Sequence, residues 1–398
     1  MSTRRELLRQ ALLAGGWLPW TRLGLAQGVG PVAAEAPRFV FVILRGGMDG
    51  LTAVPAVGDP AFAEARGALG QFAGEVLPLH GPFALHPLLP QLHALYARGE
   101  MGVLHAVGLP YHERSHFDAQ QVLESGGSRP HELTTGWLGR ALAGRGNRSL
   151  PIKAVALETA VPLVLRGPVE VDTWAPSALP EPGPELLARL ETLYLADPQL
   201  GQALARARSL RAEPGMAGDL PTRAGGGRQA ALTLASKAAE FLQRGSQVAV
   251  LEMGGWDSHA NQAAPGGATA NNLRTLDAAL AALQRGLRDA GLWQCSVILV
   301  CTEFGRQVSI NGTQGTDHGS GGAALLLGGA VRGGHVWADW PGLAAKDRFE
   351  GRDLRVTTDL RAVWRNILDQ HLQVSRAALD TRVLPGTAGL PRLDLLRA

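Results

Sequence analysis

Cysteine is almost absent from this chain, and the two residues present cannot pair with each other. Cys295 and Cys301 fall in one predicted strand, where six residues of extended chain separate them by about 20 Å. That separation is far beyond the reach of a disulfide, so both are interpreted as small buried hydrophobic residues. A compact chain of 398 residues buries roughly three quarters of the surface that is exposed when it is unfolded, so it needs no disulfide or bound metal to fold.

Lysine is also rare, and the chain carries little net positive charge. Three of the 38 basic residues are lysines, and the formal net charge is only +3. The sequence shows no basic stripe interleaved with aromatic residues, so nucleic acid is not expected as a partner. Charged residues make up 18% of the chain and hydrophobic residues 45%, which is ordinary for a globular α/β protein.

Apolar runs long enough to span a membrane are missing as well. The N-terminus has Arg4 and Arg5, a short apolar stretch (11–17) and a small-x-small site ending at Ala26. This combination predicts a Tat-type signal peptide over residues 1–26; an amphipathic helix with a chance arginine pair is the alternative. The stretch is shorter than the ~20 residues of a spanning helix. We therefore expect export by the Tat translocase to the periplasm or medium, and a mature chain without a transmembrane segment.

Apolar β-type runs alternate with helical patterns along the rest of the chain. Strands are predicted at 38–44, 101–107, 152–157, 248–253, 296–302 and 323–327, with a short β segment at 161–165. Helices are predicted at 83–99, 115–126, 135–143, 186–210, 229–243, 271–290 and 358–371. This alternation favours a three-layer α/β sandwich, with a mainly parallel sheet flanked by helices. Residues 179–228 are interpreted as a helical insertion with a mobile loop inside a domain over 37–398.

Carboxylates and imidazoles recur where the predicted strands end, on the loops that carry metal and anion sites in α/β proteins. Asp49 follows the first strand after two glycines, and Asp257 and His259 follow a later strand. Glu303 ends another strand, and His318 precedes the last one. Mixed carboxylates and imidazoles suit Zn²⁺, Mn²⁺ or Fe, whereas Ca²⁺ or Mg²⁺ would favour an all-oxygen set. These five residues are therefore predicted to hold one or two divalent metal ions.

A nucleophile and anion-binding groups lie beside the same clusters. Ser115 opens a predicted helix, where the macrodipole favours an anion or an ionised hydroxyl. Arg45, Arg114 and Arg306 are candidates to hold phosphate or sulfate bidentately. A metal-bound serine attacking a phosphoryl group is chemically coherent. Taken singly, however, Ser115 more often fits a helix N-cap, and an aspartate after a strand more often fits a turn.

The ordered series of motifs resembles a known family. Arg-Gly-Gly-Met-Asp-Gly, Arg-Ser-His-Phe, Gly-Gly-Trp-Asp-Ser-His, Thr-Glu-Phe-Gly-Arg and Asp-His-Gly follow one another between Pro37 and Leu372. This series resembles the bacterial family known as domain of unknown function 1501, which is Tat-exported and placed in the alkaline phosphatase/sulfatase-like superfamily. The resemblance implies an alkaline phosphatase-like fold with one or two metals at the strand ends. It matches Ser115 to the nucleophile, and it matches the metal ligands to Asp49, Asp257, His259, Glu303 and His318.

The sequence departs from the superfamily in ways that bear on its chemistry. Where the superfamily usually has Asp-His, this chain has Glu303 and Phe304, so one imidazole of the second metal site is missing. His116 or Asp317 is a possible substitute. Neither cysteine nor Ser115 has the Cys/Ser-x-Pro-x-Arg context of formylglycine sulfatases, which argues against ordinary sulfatase chemistry.

These observations lead to two expectations about function. The first is an exported metal-dependent hydrolase that acts on a small phosphate or sulfate ester with a serine nucleophile. The alternative is a non-catalytic periplasmic or surface protein that serves binding or assembly on a hydrolase scaffold.

Overall fold

The structure is a computed structural model that describes residues 36–143, 154–176, 183–194, 197–212 and 227–397. These residues all belong to the larger of two compact units, Ala34–Ala398. The predicted signal peptide (1–26) and most of the predicted loop at 217–228 lie outside the described residues.

The strands follow the apolar runs of the sequence. They are β1 (Arg38–Leu44), β2 (Leu77–Pro78), β3 (Ala84–Leu85), β4 (Met101–Gly108), β5 (Ala154–Ala156), β6 (Val171–Thr173), β7 (Val248–Met253), β8 (Ser296–Thr302), β9 (Gly322–Leu327), β10 (Val336–Trp337) and β11 (Thr358–Asp359). In the described part of the chain the main sheet has the order β10-β4-β9-β8-β1-β7-β5-β6, with β11 also paired to β4. Strands β2 and β3 form a separate antiparallel pair.

Most neighbours in the main sheet are parallel. Strand β1 runs parallel to β7 and β8 on either side, whereas β9 is antiparallel to both β4 and β8. All seven residues of β1 are buried, as expected for a strand covered on both faces.

Helices cover both faces of the sheet. They are α1 (Gly50–Ala53), α2 (Phe62–Arg66), α3 (Pro90–Ala97), α4 (His116–Ser125), α5 (Trp137–Ala143), α6 (Pro184–Tyr194), α7 (Pro198–Ala212), α8 (Arg228–Gln243), α9 (Ala268–Asp289), α10 (Leu360–Gln370) and α11 (Arg376–Ala378). None of the helices described is both long enough and apolar enough to cross a bilayer.

The alternation of side chains along β1 divides the core into two layers. Val40, Val42 and Leu44 pack in one cluster with residues of α3, α8 and α9. Phe39, Phe41 and Ile43 pack in a second cluster with residues of α4, α5 and α10. Because successive side chains of a strand point to opposite faces, the two clusters lie on opposite sides of the sheet. The prediction of a mixed, mainly parallel sheet flanked by helices is confirmed.

Local predictions were wrong at three places where proline interrupts an apolar run. The predicted helix at 83–99 instead begins as strand Ala84–Leu85, and its helical part starts at Pro90, because proline is tolerated only at the start of a helix. The segment at 161–165 forms the 3₁₀ turn Leu163–Leu165 after Pro162, not a β segment. The single helix predicted at 186–210 is divided into α6 and α7, the second of which begins at Pro198.

Candidate metal centre

The register of the sheet brings distant loops to one edge. Leu44 at the end of β1 pairs with Met253 at the end of β7 and with Thr302 at the end of β8. The loops that follow these three strands therefore start side by side. Because β9 is antiparallel to β8, the segment before β9 meets the same edge, and this segment carries His318.

The loop after β1 reaches the loop after β7 through Gly46. Its φ of +117° favours glycine, and a Cβ at this position would stand 2.5 Å from the backbone nitrogen of Asp257. Real Cβ atoms do not approach backbone this closely, so only glycine allows the contact.

Three imidazoles and one carboxylate converge at this edge. Nε2 of His259 lies 3.0 Å from Nε2 of His318 and 2.9 Å from Oδ1 of Asp257. Nε2 of His318 lies 3.3 Å from the same oxygen, and Nε2 of His116 lies 3.4 Å from Oδ2 of Asp257. Ligand atoms of His116, Asp257 and His318 all lie within 4.8 Å of one another. We call these four residues the His/Asp cluster.

Each imidazole of the His/Asp cluster is held through its other ring nitrogen by an oxygen of the protein. Nδ1 of His116 lies 2.7 Å from Oε1 of Glu303, and Nδ1 of His318 lies 2.8 Å from the carbonyl oxygen of Arg114. Nδ1 of His259 lies 3.4 Å from Oδ1 of Asp317. Since these oxygens only accept hydrogen bonds, Nδ1–H donates and the Nε2 lone pair of the neutral ring faces the cluster. This is the usual arrangement of metal-binding histidines.

The spacing and chemistry of these atoms fit a metal ion. Nε2 of His116 is buried and makes no hydrogen bond, so its lone pair is available at the centre as a metal ligand. Ligands of a tetrahedral ion bound at 2.0–2.1 Å are about 3.4 Å apart. The four separations given above are 2.9 to 3.4 Å, and the ligand atoms of His116, Asp257 and His318 lie within 4.8 Å of one another. Three imidazoles and a carboxylate suit Zn²⁺, Mn²⁺ or Fe better than Ca²⁺ or Mg²⁺.

These contacts, together with burial, shift the pKa values of His116, His318 and Asp257. The hydrogen bond to Glu303 raises the pKa of His116 above its ordinary value, against the opposing effect of burial. Burial lowers the pKa of His318, and the nearby charges of His116 and Arg306 act in the same direction. Burial alone would raise the pKa of Asp257, but its hydrogen bond to Arg306 and the charges of Arg306 and two histidines together lower the pKa below its ordinary value.

Glu303 lies behind the cluster. Its Oε1 accepts hydrogen bonds from His116, from the backbone nitrogen of Gly46 and from Nε2 of Gln120, and its Oε2 accepts one from the hydroxyl of Thr302. These contacts fit a group that orients His116. The direct ligand role expected from the sequence stays a prediction, while His116, expected only as a substitute, lies in the cluster.

Phe304 packs beside the His/Asp cluster. It is buried, and its ring centroid lies 4.7 Å from that of His116 and 5.0 Å from that of His318. The phenyl ring therefore packs against two rings of the cluster.

Asp49 lies apart from the cluster in a buried ion pair. Its Oδ2 lies 2.5 Å from Nη2 of Arg66 and also accepts hydrogen bonds from Gln262 and Thr52. Its Oδ1 accepts hydrogen bonds from the backbone nitrogens of Leu51 and Thr52, which caps α1. The predicted role as a metal ligand remains untested, but the structure does not bring Asp49 to the imidazoles.

The three arginines predicted to bind an anion all have acceptors within the protein. Arg45 pairs with Glu124 and Glu252. Arg114 pairs with Glu350 and Asp353, and Arg306 pairs with Asp257 and Thr316. Their role in binding substrate therefore stays a prediction.

Ser115 is the N-cap residue of α4, directly before His116. Its backbone is extended and its hydroxyl makes no capping hydrogen bond. The N-cap position expected as the structural alternative is thus present, but the side chain does not perform the capping contact.

Sequence reasoning missed two residues that lie behind the cluster. Gln262 and Thr316 are buried polar residues far apart in sequence, and Thr316 contacts both Gln262 and Arg306. The available signal was weak: Gln262 follows His259 by three positions and Thr316 precedes His318 by two.

Several solved structures are similar to this chain at low sequence identity. A sulfatase from Pseudoalteromonas sp. is 14% identical, with 90% of this chain and 71% of that chain covered and a TM-score of 0.42. A phosphonate monoester hydrolase of Agrobacterium radiobacter is 12% identical, with coverages of 84% and 73% and a TM-score of 0.37. A protein in the alkaline phosphatase superfamily from Vibrio parahaemolyticus is 12% identical, with coverages of 74% and 60% and a TM-score of 0.37.

No curated protein sequence matches this chain. Residues 47–374 match the family described as "Protein of unknown function (DUF1501)", and these residues include the whole His/Asp cluster. The chain belongs to this family.

Proposed function

We propose that this protein is an exported metal-dependent hydrolase of a small phosphate or sulfate ester. The observation that carries the proposal is the His/Asp cluster, in which each imidazole is held at Nδ1 and presents Nε2 to a common centre. His116, Asp257, His259 and His318 would hold one divalent metal. When bound, such an ion supplies Lewis acidity toward an ester oxygen and lowers the pKa of a coordinated hydroxyl.

Ser115 is proposed as the nucleophile. It precedes the ligand His116 in the chain, and its hydroxyl is not engaged in capping α4. The first backbone amides of α4 point toward the same end of the helix, where they favour an anionic group. Attack of the Ser115 oxygen on phosphorus or sulfur would form an ester to the enzyme and release the alcohol, and water would then cleave that ester.

The other residues of the site would hold the ligands. Glu303 fixes the ring of His116, Asp317 and the Arg114 carbonyl fix the other two rings, and Arg306 fixes Asp257. Phe304 excludes water from one side of His116 and His318 by direct packing.

The test combines metal analysis with turnover of the full-length protein. We expect a stoichiometric transition metal by elemental analysis, and hydrolysis of some members of a panel of phosphate and sulfate esters. His116→Ala should lose both metal and activity. His80→Ala is the matched control, because it removes an exposed imidazole from the loop after β2 and should change neither. A protein that binds no metal would contradict the proposal.

One observation favours the second candidate, a non-catalytic binding or assembly protein. The arginines that could bind an anionic ester are paired with carboxylates of the protein. For this function we expect bound metal but no turnover on any ester, and Ser115→Ala should leave the biological phenotype intact while Asp257→Ala abolishes it.

A further inference from the structure

A series of buried polar contacts leads from the His/Asp cluster into the core. Arg306 is only 1% exposed. Its Nη1 donates to Oδ1 of Asp257 at 2.7 Å, its Nε donates to the hydroxyl of Thr316 at 3.1 Å, and its Nη2 donates to the carbonyl oxygen of Thr316. Thr316 therefore holds two of the three nitrogens of this guanidinium group.

The hydroxyl of Thr316 is itself fixed by Gln262. It donates to Oε1 of Gln262 at 2.7 Å, so its lone pairs are left for Arg306. The amide of Gln262 cannot turn over, because Oε1 also accepts from Ser258 at 2.9 Å while Nε2 donates to Asp49 and Thr52. Both Thr316 and Gln262 are buried, where a polar group left without a partner is costly.

Asp257 needs such support. Its side chain is 42% exposed and lies on a loop after β7. An arginine side chain has many rotamers, and holding one of them costs conformational entropy. The contacts to Thr316 remove that freedom before a ligand binds, so the Asp257 carboxylate is oriented in advance.

We propose that Thr316 and Gln262 are positioning residues of the candidate metal centre, acting through Arg306 on Asp257. This proposal rests on the proposed function only in requiring that the His/Asp cluster binds a metal. According to this proposal, the buried contacts behind the cluster increase the metal affinity as well as the stability of the fold. Residues that orient ligands from behind typically change metal affinity about 10- to 100-fold when they are altered.

The test is Zn²⁺ affinity of the full-length apoprotein, measured by competition with a chelating dye. Thr316→Val keeps the shape of the side chain but removes the hydroxyl, and we expect it to bind Zn²⁺ about 10-fold more weakly. Thr316→Ser keeps the hydroxyl and should restore the affinity. Gln262→Met removes the restraint one contact further away and should weaken binding in the same direction.

Thr387→Val is the control for loss of a buried hydroxyl elsewhere. Thr387 is fully buried and donates to the carbonyl oxygen of Leu384, outside the contacts of the cluster. It should lower the Tm without changing Zn²⁺ affinity.

The outcomes separate this proposal from the previous one. If the unaltered protein binds no Zn²⁺, the metal centre itself is refuted. If it binds Zn²⁺ and both Thr316→Val and Gln262→Met bind as tightly, the positioning role is wrong while the metal centre stands. If Thr316→Val does not fold, Gln262→Met and Thr316→Ser decide the question.

Discussion

Oε1 of Glu303 lies 2.7 Å from Nδ1 of His116, although the two residues are 187 positions apart in the chain. The carboxylate is buried and the imidazole faces the centre of the His/Asp cluster. Burial alone would raise the pKa of Glu303, but the hydrogen bonds that it accepts, the strongest of them from His116, together lower the pKa below its ordinary value. A charged carboxylate therefore stands behind His116 and increases the electron density on its Nε2.

Removing the charge of Glu303 should weaken metal binding without abolishing it. Glu303→Gln keeps an oxygen that accepts from His116 but loses the negative charge, so we expect Zn²⁺ affinity to fall about 10-fold. Competition with a chelating dye measures this change. Glu64→Gln, an exposed carboxylate on α2, should have no effect. A complete loss of metal with Glu303→Gln would instead indicate the direct ligand role that the sequence predicted.

Asp49→Asn should destabilise the fold and leave metal binding largely intact. The substitution leaves the fully buried guanidinium of Arg66 without its carboxylate, and breaking a buried ion pair costs about 3–5 kcal/mol. Urea denaturation of the metal-free protein measures the free energy of unfolding. Asp339→Asn, at an exposed position, should change it by less than about 0.5 kcal/mol. Lost metal with unchanged stability would show that Asp49 is a ligand after all.

The contribution of Asp49 to stability should depend on pH. Burial alone would raise its pKa, but the charge and hydrogen bond of Arg66 outweigh this, and the pKa lies below the ordinary value of 3.8. A lowered pKa means that the contribution is fully present above about pH 4 and is lost as the pH falls through the folded-state pKa. The difference in unfolding free energy between the unaltered protein and Asp49→Asn should therefore be constant from pH 7 to 5 and shrink in stronger acid. A difference that grows on acidification would refute this assignment.

Export should depend on the arginine pair near the N-terminus. Replacing Arg4 and Arg5 together by lysine keeps the charge but removes the twin-arginine feature, so we expect the unprocessed chain to stay in the cytoplasm. Cell fractionation with immunodetection measures the distribution. Arg9→Lys changes an arginine outside the pair and should be exported normally. Equal export of the double variant would exclude the Tat route.

Much of the fold could be read from local patterns. The runs that form β1 and β8 are largely apolar because these strands are buried along their whole length, and this pattern depends on neighbouring residues alone. The predicted helix bounds were wrong at Pro90 and Pro198, because the apolar spacing continued through a proline that starts a new helix.

The residue types of the site, and their placement after strands, were determined by the sequence itself. Which of them meet was decided by the tertiary structure. His116 and His318 converge with Asp257. Asp49 instead forms an ion pair with Arg66, and Glu303 lies behind His116. The reason is physical: hydrophobic periodicity is a local property of the chain. The pairing of a buried charged group instead depends on its distance and geometry to other groups, which only the folded sheet brings together.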